Sequence, residues 1–340
     1  MKILVIGGTQ FVGRHIVTTL LADGDDVTLF HRGLTNPGLF PEAEHRLGDR
    51  NNDLSALATG SWDATIDTSA YVPRQVRSLA EALAGRGGRY VHISSVSAYA
   101  GPFHPGFDED VPLAVLDDPA TEVVSDETYG GLKALCERAA LECFGGTTRP
   151  GAVATKVAVP VSIVRPTYVA GPYDHTGRFT WWVERVARGG RVLAPGPKEN
   201  PSQVIDARDL ARFVVLLAHG QSAAGTFHAV SPAPPFSFED FLTAVLNEVG
   251  PPGTELVWVA PEVLADAGVT AAELPLWEGV GPDSEVLAAS PARAIAAGLR
   301  VRPLAQTVRE VHEHETIGPS ASKTPVRLSP ARERELLALS

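Results

Sequence analysis

MKILVIGGTQFVGRHIVTTLLADGDDVTLFHRG, residues 1–33, is the stretch that decides the fold. A short apolar run, KILVIG, leads into a turn rich in glycine. In the segment that follows, Val12, Ile16 and Leu20 recur at the spacing of one helix face. A second apolar run, DVTLFHR, comes after a short polar link. This order predicts a strand, a helix and a second strand parallel to the first, which is a βαβ unit.

The same alternation continues along the first two thirds of the chain. Further candidate strands are HRLGD, ATIDTS, RYVHISS and VSIVRP, and helical patterns occur in RQVRSLAEALAG and TYGGLKALCERAALECF. Most of these strands are continuous apolar runs, as expected when helices cover both faces of a parallel sheet. The sequence therefore predicts an α/β fold, a Rossmann-type doubly wound parallel sheet with a smaller C-terminal α/β substrate lobe.

Composition divides the chain into two lobes. Residues 1–165 are predicted to form the Rossmann domain, and residues 203–220, which are typical of a strand leading into a helix, to return to it. Residues 166–202 and 221–315 are assigned to the substrate-binding lobe because glycine, proline and aromatic residues become frequent after Pro166. Residues 316–340 are predicted to be a linker and a short C-terminal helix capped by Ser329, and residues 145–160 a surface insertion.

The amino-acid composition indicates which classes of protein and which kinds of binding partner are expected. With 44% hydrophobic and 20% charged residues, the 340-residue chain is typical of globular proteins. Its formal net charge of -11 argues against nucleic-acid binding, although a local basic patch stays compatible with that charge. No apolar stretch is long enough to span a membrane and the start lacks a secretory signal pattern, so a cytoplasmic location is expected. Cys136 and Cys143 are predicted core thiols, and the ten histidines show no metal-ligand spacing.

The glycine turn carries the first functional signal. Gly7, Gly8 and Gly13 lie between a strand and a helix, where such glycines give a tight turn, close helix packing and free N–H groups that face a pyrophosphate. A glycine turn without a ligand is the structural alternative, and the strand before it and the helix after it argue against that interpretation. The sequence therefore predicts a dinucleotide site.

The motif GGTQFVG resembles the G-x-x-G-x-x-G turn of the extended short-chain dehydrogenase/reductase superfamily, the NAD-dependent epimerase/dehydratase family. Gln10 stands where the middle glycine is usual. In this it is similar to the GGTRFIG turn of a divergent branch that includes chloroplast stem-loop-binding proteins and bacterial proteins assigned as reductases. Gln10 is therefore interpreted as a marker of that branch, with an amide able to reach a phosphate or a ribose hydroxyl. The turn residues expected to bind the cofactor are Gly7, Thr9, Gln10, Phe11 and Val12.

The end of the second strand indicates which cofactor is expected. An acid that binds the adenosine ribose 2′-OH belongs about 20 residues after the turn, but His31 and Arg32 stand there instead. A guanidinium can hold a 2′-phosphate, so NADP(H) is favoured over NAD(H), with stacking of Arg32 on adenine as the alternative. By resemblance, Asp49 approaches the adenine amine, although it is equally suited to cap a loop. The remaining predicted cofactor residues are Arg50, Thr68, Ser69, Lys133 and Pro166.

The predicted catalytic residues are Ser95, Tyr129 and Lys133. Tyr129 and Lys133 in YGGLK are four residues apart and so lie on one face of a helix. A tyrosine with a pKa near 10 is a poor base, and a cation one turn away is expected to bring that pKa toward the working range. By resemblance, Ser95 hydrogen-bonds the reacting oxygen and Lys133 holds the nicotinamide ribose. Y-x-x-x-K alone is common in helices, and its place after the glycine turn and the serine-rich strand end is what makes it informative.

The substrate side of the sequence is less specific. Sugar-nucleotide dehydratases of the superfamily follow their catalytic Ser/Thr with an Asp-Glu pair, and Val96 and Ser97 stand there, which argues against a dehydratase. The predicted substrate contacts are Tyr71, Ser97 and Arg208. By resemblance Arg208 meets an anionic group, or else it serves the structure alone. Residues expected to pack within the lobe are Arg178, Trp181 and Trp182.

The resemblance implies an NAD(P)-dependent oxidoreductase that transfers hydride to or from a carbonyl or carbinol carbon, with Tyr129 as acid and base. A sugar-nucleotide epimerase with a retained cofactor is one alternative, and a non-catalytic nucleotide-sensing or RNA-binding protein is another. The expected partner is a small-molecule substrate, such as a nucleotide sugar or a natural-product intermediate, rather than a nucleic acid or a membrane. A homodimer formed through two helices per subunit is also implied by resemblance.

Overall fold

A computed structural model describes residues 1–146, 158–233, 235–270, 272–318 and 327–339. The strands are β1 (Lys2–Ile6), β2 (Asp26–His31), β3 (Glu44–Leu47), β4 (Ala64–Asp67), β5 (Arg89–Ile93), β6 (Val161–Pro166), β7 (Tyr168–Ala170), β8 (Arg191–Pro195), β9 (Val204–Asp206), β10 (Thr226–Ala229) and β11 (Glu255–Val259). The helices are α1 (Phe11–Ala22), α2 (Pro73–Leu83), α3 (Asp126–Cys143), α4 (Arg178–Ala187), α5 (Ala207–Ala218), α6 (Phe238–Val249), α7 (Pro261–Asp266), α8 (Ala292–Ala296), α9 (Leu304–Ile317) and α10 (Pro330–Leu337).

Within the described residues, one parallel sheet of seven strands has the order β10-β6-β5-β4-β1-β2-β3. Side chains alternate between its faces, so Ile3 and Val5 pack with α1 and α5, whereas Leu4 and Ile6 pack with α2 and α3. The predicted Rossmann-type doubly wound sheet is confirmed. The strand order reverses at β1, and the carboxyl ends of the strands there form the edge at which such sheets bind ligands.

The helix predicted from the opening stretch packs as its spacing indicates. Ile16, Val17 and Leu20 of α1 are fully buried in the core beneath β1 and β2. Burial of each such side chain contributes about 1.5–3 kcal/mol. These contacts hold the start of α1 at the carboxyl end of β1.

Two expectations about domain boundaries are wrong. Residues 226–229, assigned to the substrate lobe, form β10 and add the seventh strand to the main sheet beside β6. The strand predicted within 203–220 pairs with β7 in a separate two-stranded sheet, because β6 already has β5 and β10 as neighbours. The helix of that segment, α5, does return to the Rossmann domain, where Leu210 and Val214 join the same core as α1.

A second core lies in the C-terminal lobe. It collects apolar side chains from α4, α6, α9, β8 and β11, with Trp182 and Phe241 at its centre. The C-terminal helix α10 also packs there through Leu336, and its Glu333 accepts a hydrogen bond of 2.7 Å from Arg185. The predicted linker and insertion fall largely on residues 319–326 and 147–157, which lie outside the described residues. In the part of the chain that the structure describes, no helix has the length and apolar character needed to cross a membrane.

Candidate functional site

A cavity of about 410 Å³ opens at the carboxyl edge of β1, β2 and β4. It brings together most of the residues that the sequence assigned to a cofactor. The predicted residues that line it are Gly7, Thr9, Gln10, Phe11, Val12, His31, Arg32, Asp49, Arg50, Thr68, Ser69 and Tyr71. Pro166 ends β6 beside Ala229 and is not among the described residues of that lining.

The glycine turn fits a bound phosphate because side chains are excluded from it. Gly7 and Gly8 have φ angles of +103° and +99°, which favour glycine, and a Cβ on Gly7 would lie 2.6 Å from Thr68 Oγ1. A Cβ on Gly13 would lie 2.8 Å from the backbone nitrogen of Gly8, so only glycine lets α1 approach the turn. The unpaired N–H groups at the start of α1 therefore face the cavity, as a pyrophosphate requires.

Gln10 does not disrupt this turn. It is exposed, it has an extended backbone with φ of -135°, and it forms the residue before α1 without capping the helix through its side chain. Because it lines the cavity, its amide is available to a ligand there. A side chain at this position thus adds a polar group to the turn and leaves the glycine geometry intact.

Two side chains at the end of β2 line the cavity: the imidazole of His31 and the guanidinium of Arg32. The Nδ1 atom of His31 accepts from the Gly33 N–H at 3.1 Å, so its Nε2 donates to Nδ1 of His45 at 2.8 Å. Burial and the neighbouring His45 lower the pKa of His31, which keeps the ring uncharged. Arg32 is exposed at the cavity and has no hydrogen bond or ion pair to any described residue. It is therefore the charged group that a ligand meets at this end.

Asp49 and Arg50 have partners of their own. The Asp49 carboxylate accepts from the Asn51 N–H at 3.0 Å, so Asp49 caps its loop while it lines the cavity. Arg50 is buried and forms a two-pronged ion pair with Asp67 at 2.7 and 2.9 Å. It also donates to Ser69 Oγ at 2.9 Å. Arg50 therefore forms a wall of the cavity through a paired guanidinium rather than a free one.

Sequence reasoning missed Asp67, the partner of Arg50. Asp67 is fully buried at the end of β4, where it also accepts a hydrogen bond from the Tyr90 hydroxyl at 2.8 Å. Burial alone would raise the pKa of Asp67, but the Arg50 ion pair outweighs it and holds the pKa far below its ordinary value. A carboxylate at the end of ATID, a short uncharged run in a candidate buried strand, was the signal that pointed to a buried pair.

The catalytic candidates lie next to the cavity, beyond Tyr71. The rings of Tyr71 and Tyr129 are 6.4 Å apart between centroids. Ser95 precedes a 3₁₀ turn, Val96–Ala98, and its Oγ donates to Ser97 Oγ at 3.0 Å. Ser95 also interacts with Tyr129 closely enough to affect its pKa. The structure thus brings together Tyr71, Ser95, Ser97 and Tyr129, from three separate parts of the chain.

Lys133 is buried one helical turn from Tyr129. Its ammonium donates to the backbone carbonyls of Ala70 at 2.9 Å and Ile93 at 2.7 Å. An ammonium has three N–H donors, so one remains for a ligand. These two bonds fix the ammonium between the ends of β4 and β5, beside the aromatic ring of Tyr71 at 5.9 Å.

The expected lowering of the Tyr129 pKa is not found in this structure. Burial raises the pKa of Tyr129 above its usual value of 10, and the nearby Tyr71 adds to the rise, while Ser95 and the charge of Arg178 act in the opposite direction. Burial also lowers the pKa of Lys133, because its charge is removed from water. Two carbonyl oxygens hold the Lys133 ammonium. The four-residue spacing of Tyr129 and Lys133 shows neither these bonds nor the burial, so it did not predict the direction of the Tyr129 pKa shift.

A buried polar network behind Ser95 was also missed. Glu137, one turn after Lys133, accepts from Ser94 Oγ at 2.5 Å and forms an ion pair with Arg165 at 2.5 Å. Arg165 donates in turn to the Tyr99 hydroxyl. Ser94 and Tyr99 bracket the turn that carries Ser95, so the network fixes that turn to α3. The spacing of Glu137, on the same helix face as Tyr129 and Lys133, was the available signal.

Arg208, predicted either to contact an anion or to serve the structure alone, is not among the residues described as lining the cavity. Its guanidinium is held by Asp206 at 2.6 Å and by Glu310 on α9. Arg208 lies at the start of α5, and these carboxylates bind its charge within the fold. Trp182 is fully buried in the C-terminal lobe, as expected, where its indole donates to the Pro275 carbonyl at 2.5 Å.

Comparison with known proteins agrees with this geometry. The model of the NAD dependent epimerase/dehydratase family matches residues 3–229, more than half of the chain. The protein belongs to this family. Apart from Lys2, the matched range contains all seven strands of the parallel sheet, including β10.

One protein with a similar sequence is the chloroplast stem-loop binding protein of 41 kDa b from Arabidopsis thaliana. It is 23% identical over an alignment 278 residues long, which covers 77% of this chain and 66% of that protein. The match therefore spans just under two thirds of the length of the relative.

Solved structures of similar fold include two bacterial proteins with bound NAD. The UDP-glucose 4-epimerase of Thermus thermophilus in complex with NAD is 19% identical, with a TM-score of 0.65 over 94% of this chain and 100% of that chain. The enzyme WbmG of Bordetella bronchiseptica, in complex with NAD and UDP, is 15% identical, with a TM-score of 0.64. The match covers 96% of this chain and 98% of that chain. At these identities the likeness shows that the epimerase/dehydratase fold is shared.

Proposed function

We propose that the protein is an NADP(H)-dependent oxidoreductase that transfers hydride to or from a carbonyl or carbinol carbon of a small molecule. The observation that carries the cofactor choice is the unpaired, exposed guanidinium of Arg32 at the cavity, where β2 ends without a carboxylate. A 2′-phosphate would give this guanidinium a negatively charged partner, whereas a 2′-hydroxyl would not. NAD in the solved relatives supports a dinucleotide in general.

The cofactor would be held by the turn at Gly7, Gly8 and Gly13, by the start of α1 and by Arg32. Its nicotinamide would supply or accept the hydride. Lys133 would bind the adjoining ribose through its third N–H, since its other two donors are fixed to backbone carbonyls. Tyr71 lines the cavity and lies beside Tyr129, so a cofactor whose nicotinamide reached Tyr71 would have its reacting end next to the catalytic candidates.

The proton is assigned to Tyr129 and the polarising hydrogen bond to Ser95. In reduction, Tyr129 would donate its phenolic proton to the substrate oxygen while Ser95 donates a hydrogen bond to the same oxygen. A raised pKa keeps the Tyr129 hydroxyl protonated at neutral pH, as an acid requires.

An epimerase with a retained cofactor is the second candidate. The observation that favours it is the UDP-glucose 4-epimerase among the solved structures of shared fold. The same three residues, Ser95, Tyr129 and Lys133, would serve both reactions. The two candidates differ in whether the cofactor exchanges with the solution.

The decisive experiment measures the affinities of NADPH and NADH by calorimetry for the wild type and for Arg32→Ala. We expect NADPH to bind more tightly, and Arg32→Ala to weaken NADPH by about 10- to 100-fold with little effect on NADH, since one charge-assisted contact contributes about 1.5–3 kcal/mol. Equal affinities in both proteins would contradict the NADP(H) preference. NAD that co-purifies and survives dialysis would favour the epimerase. Salt-sensitive retention of RNA, unchanged by Tyr129→Phe, would favour a binding protein.

A further inference from the structure

The segment that joins the turn after β5 to α3 is held to the protein by few contacts. Residues 117–124, which we call the strap, contain neither helix nor strand. The residue before the strap, Leu116, packs on α3 so closely that a Cβ on Gly131 would lie 2.5 Å from its Cδ2 atom. Within the strap no residue is buried, and Val123 is 69% exposed. Because apolar burial contributes little here, polar bonds determine where the strap lies.

Among the described residues, one ion pair links the strap to a distant part of the chain. The Glu122 carboxylate accepts hydrogen bonds from Nε and Nη2 of Arg74, both at 2.9 Å. Arg74 is the second residue of α2 and lies 48 positions earlier in the chain. A further bond, from Thr128 Oγ1 to the Val123 carbonyl at 2.6 Å, joins the strap only to the helix that follows it. The position of the strap therefore depends on the Arg74–Glu122 pair.

Arg74 also bonds to the rim of the cofactor cavity. Its Nη1 donates to the Asn51 carbonyl at 3.1 Å. Asn51 lines the cavity, and its Oδ1 accepts from Gln75 Nε2 at 2.8 Å. Gln75, which also lines the cavity, accepts from the Tyr71 N–H at 2.8 Å. One guanidinium therefore joins the Glu122 carboxylate to the edge of the cavity that runs from Asn51 to Tyr71.

The other end of the strap lies at the catalytic candidates. Helix α3 begins directly after Ser125, whose carbonyl accepts from the Tyr129 N–H at 2.9 Å. The ring of Tyr129 lies 6.4 Å from that of Tyr71, on the cavity rim. The strap therefore runs between the rim of the cavity and the residue assigned to proton transfer. A dinucleotide whose nicotinamide reaches Tyr129 would enter and leave beside this segment.

The rest of the fold does not depend on this ion pair. Helices α2 and α3 share a core to which Val76 and Leu79 contribute from α2, and Cys136 and Ala139 from α3. These side chains are fully buried, so the two helices stay packed when the pair breaks. Both side chains of the pair are nearly half exposed, and such pairs contribute little to stability and weaken with salt. Breaking the pair therefore frees the strap and leaves the domain folded.

We propose that the strap closes the mouth of the cofactor cavity and that the Arg74–Glu122 pair is its latch. With the pair formed, the strap slows both the entry and the release of the dinucleotide, and with the pair broken both steps become faster. The latch leaves the equilibrium affinity nearly unchanged, because an open strap eases both directions alike. This inference rests on the proposed function, since it requires a dinucleotide in the cavity. It does not depend on which of the two candidate reactions follows.

The test measures the association and dissociation rates of NADPH and of NADH by stopped-flow fluorescence, with dissociation started by an excess of the oxidised cofactor. We expect Glu122→Gln to release the bound cofactor about two- to fivefold faster than the wild type, as the loss of an exposed ion pair allows. The direction is diagnostic, because removing a negative charge near an anionic cofactor would by itself slow its release. Raising NaCl from about 0.05 M to about 0.5 M is expected to remove the difference between the two proteins, since salt screens the pair.

Glu239→Gln is the matched control. It breaks the Lys198–Glu239 pair, which has the same separation of 2.9 Å and nearly the same exposure but lies in the C-terminal lobe. We expect this variant to release the cofactor like the wild type. The latch is overturned if Glu122→Gln releases the cofactor at the wild-type rate or more slowly, if the difference persists at high salt, or if Glu239→Gln accelerates release as much. A wild type that binds no dinucleotide would instead overturn the proposed function, and the latch with it.

Discussion

Gly130 of α3 packs directly against the backbone carbonyl of Ser97. A Cβ on Gly130 would lie 2.1 Å from that oxygen, far inside any real contact. Gly130 follows Tyr129 in the chain, and Ser97 lies two residues after Ser95. The absence of a side chain at one position therefore sets how close Tyr129 comes to Ser95.

Gly130→Ala is expected to destabilise the protein by about 1–3 kcal/mol, because α3 must shift away from the Ser97 turn. The sign is diagnostic, since alanine in place of glycine inside a helix otherwise stabilises by about 1 kcal/mol. Urea unfolding measures the difference. Gly38→Ala is the matched control, because its new Cβ meets no atom within 4 Å. A gain in stability for Gly130→Ala would refute the close contact.

Asp67→Asn is expected to lower the free energy of unfolding by about 3–5 kcal/mol, because it leaves the Arg50 guanidinium buried without a counter-charge. The double variant Asp67→Leu with Arg50→Met removes both charges and is expected to recover most of that loss. Chemical denaturation of the three proteins gives the comparison. If the double variant is less stable than Asp67→Asn, the pair is not the source of the effect.

Four buried histidines are expected to make the fold sensitive to acid. Burial lowers the pKa of His92 to about 3 and of His228 to about 4, and also lowers those of His15 and His31. The unfolded chain binds these protons below a pH of about 6.5, while the native state does not. Stability present above that pH is therefore lost as the pH falls, by about 1.4 kcal/mol per unit for His92 until the pH nears 3 and for His228 until it nears 4. His15 and His31 change the stability in the same direction.

His92→Phe tests this sensitivity, because both ring nitrogens of His92 are buried without partners. Between pH 7.5 and 5 the wild type is expected to lose about 2 kcal/mol more than the variant, as measured by urea unfolding at each pH. Parallel losses in the two proteins would show that His92 is not the titrating group.

Lys133→Met is expected to weaken NADPH binding about tenfold, because it removes the one donor left for the ribose. Tyr129→Phe keeps every bond of Lys133 and is expected to bind NADPH like the wild type. Calorimetry measures both affinities. Circular dichroism checks that Lys133→Met is folded, since it also leaves two buried carbonyls without donors. Equal weakening in both variants would argue against a ribose contact specific to Lys133.

Local patterns in the sequence were sufficient to predict the sheet and the glycine turn. Strand and helix periodicities, and the glycines at 7, 8 and 13, act over a few residues, and the structure forms those elements where they were expected. The placement of β10 was missed, because the pairing of Thr226–Ala229 with β6 depends on which sheet edge is open. Spacing does not contain that information.

Pairs that meet across the chain were the larger omission. Arg50 was assigned to the cofactor and Arg208 to the substrate. Asp67 engages the first guanidinium, and Glu310 on α9 joins the neighbouring Asp206 in engaging the second. Arg178 was expected to pack within the lobe, and its guanidinium lies over the ring of Tyr168, 4.7 Å from the centroid. A charge is free or paired according to what lies within about 4 Å of it, and that is decided by the packing of distant segments.

By itself, the sequence determined the class of fold, the position of the glycine turn and the identity of the candidate acid, because each depends on residue type and short spacing. Only the tertiary structure decided which guanidinium groups remain for ligands, where the seventh strand lies, and that burial raises the pKa of Tyr129 in the protein without its ligands. The physical reason is that desolvation and ion pairing depend on neighbours brought together by folding, and these neighbours are tens of residues apart in the chain.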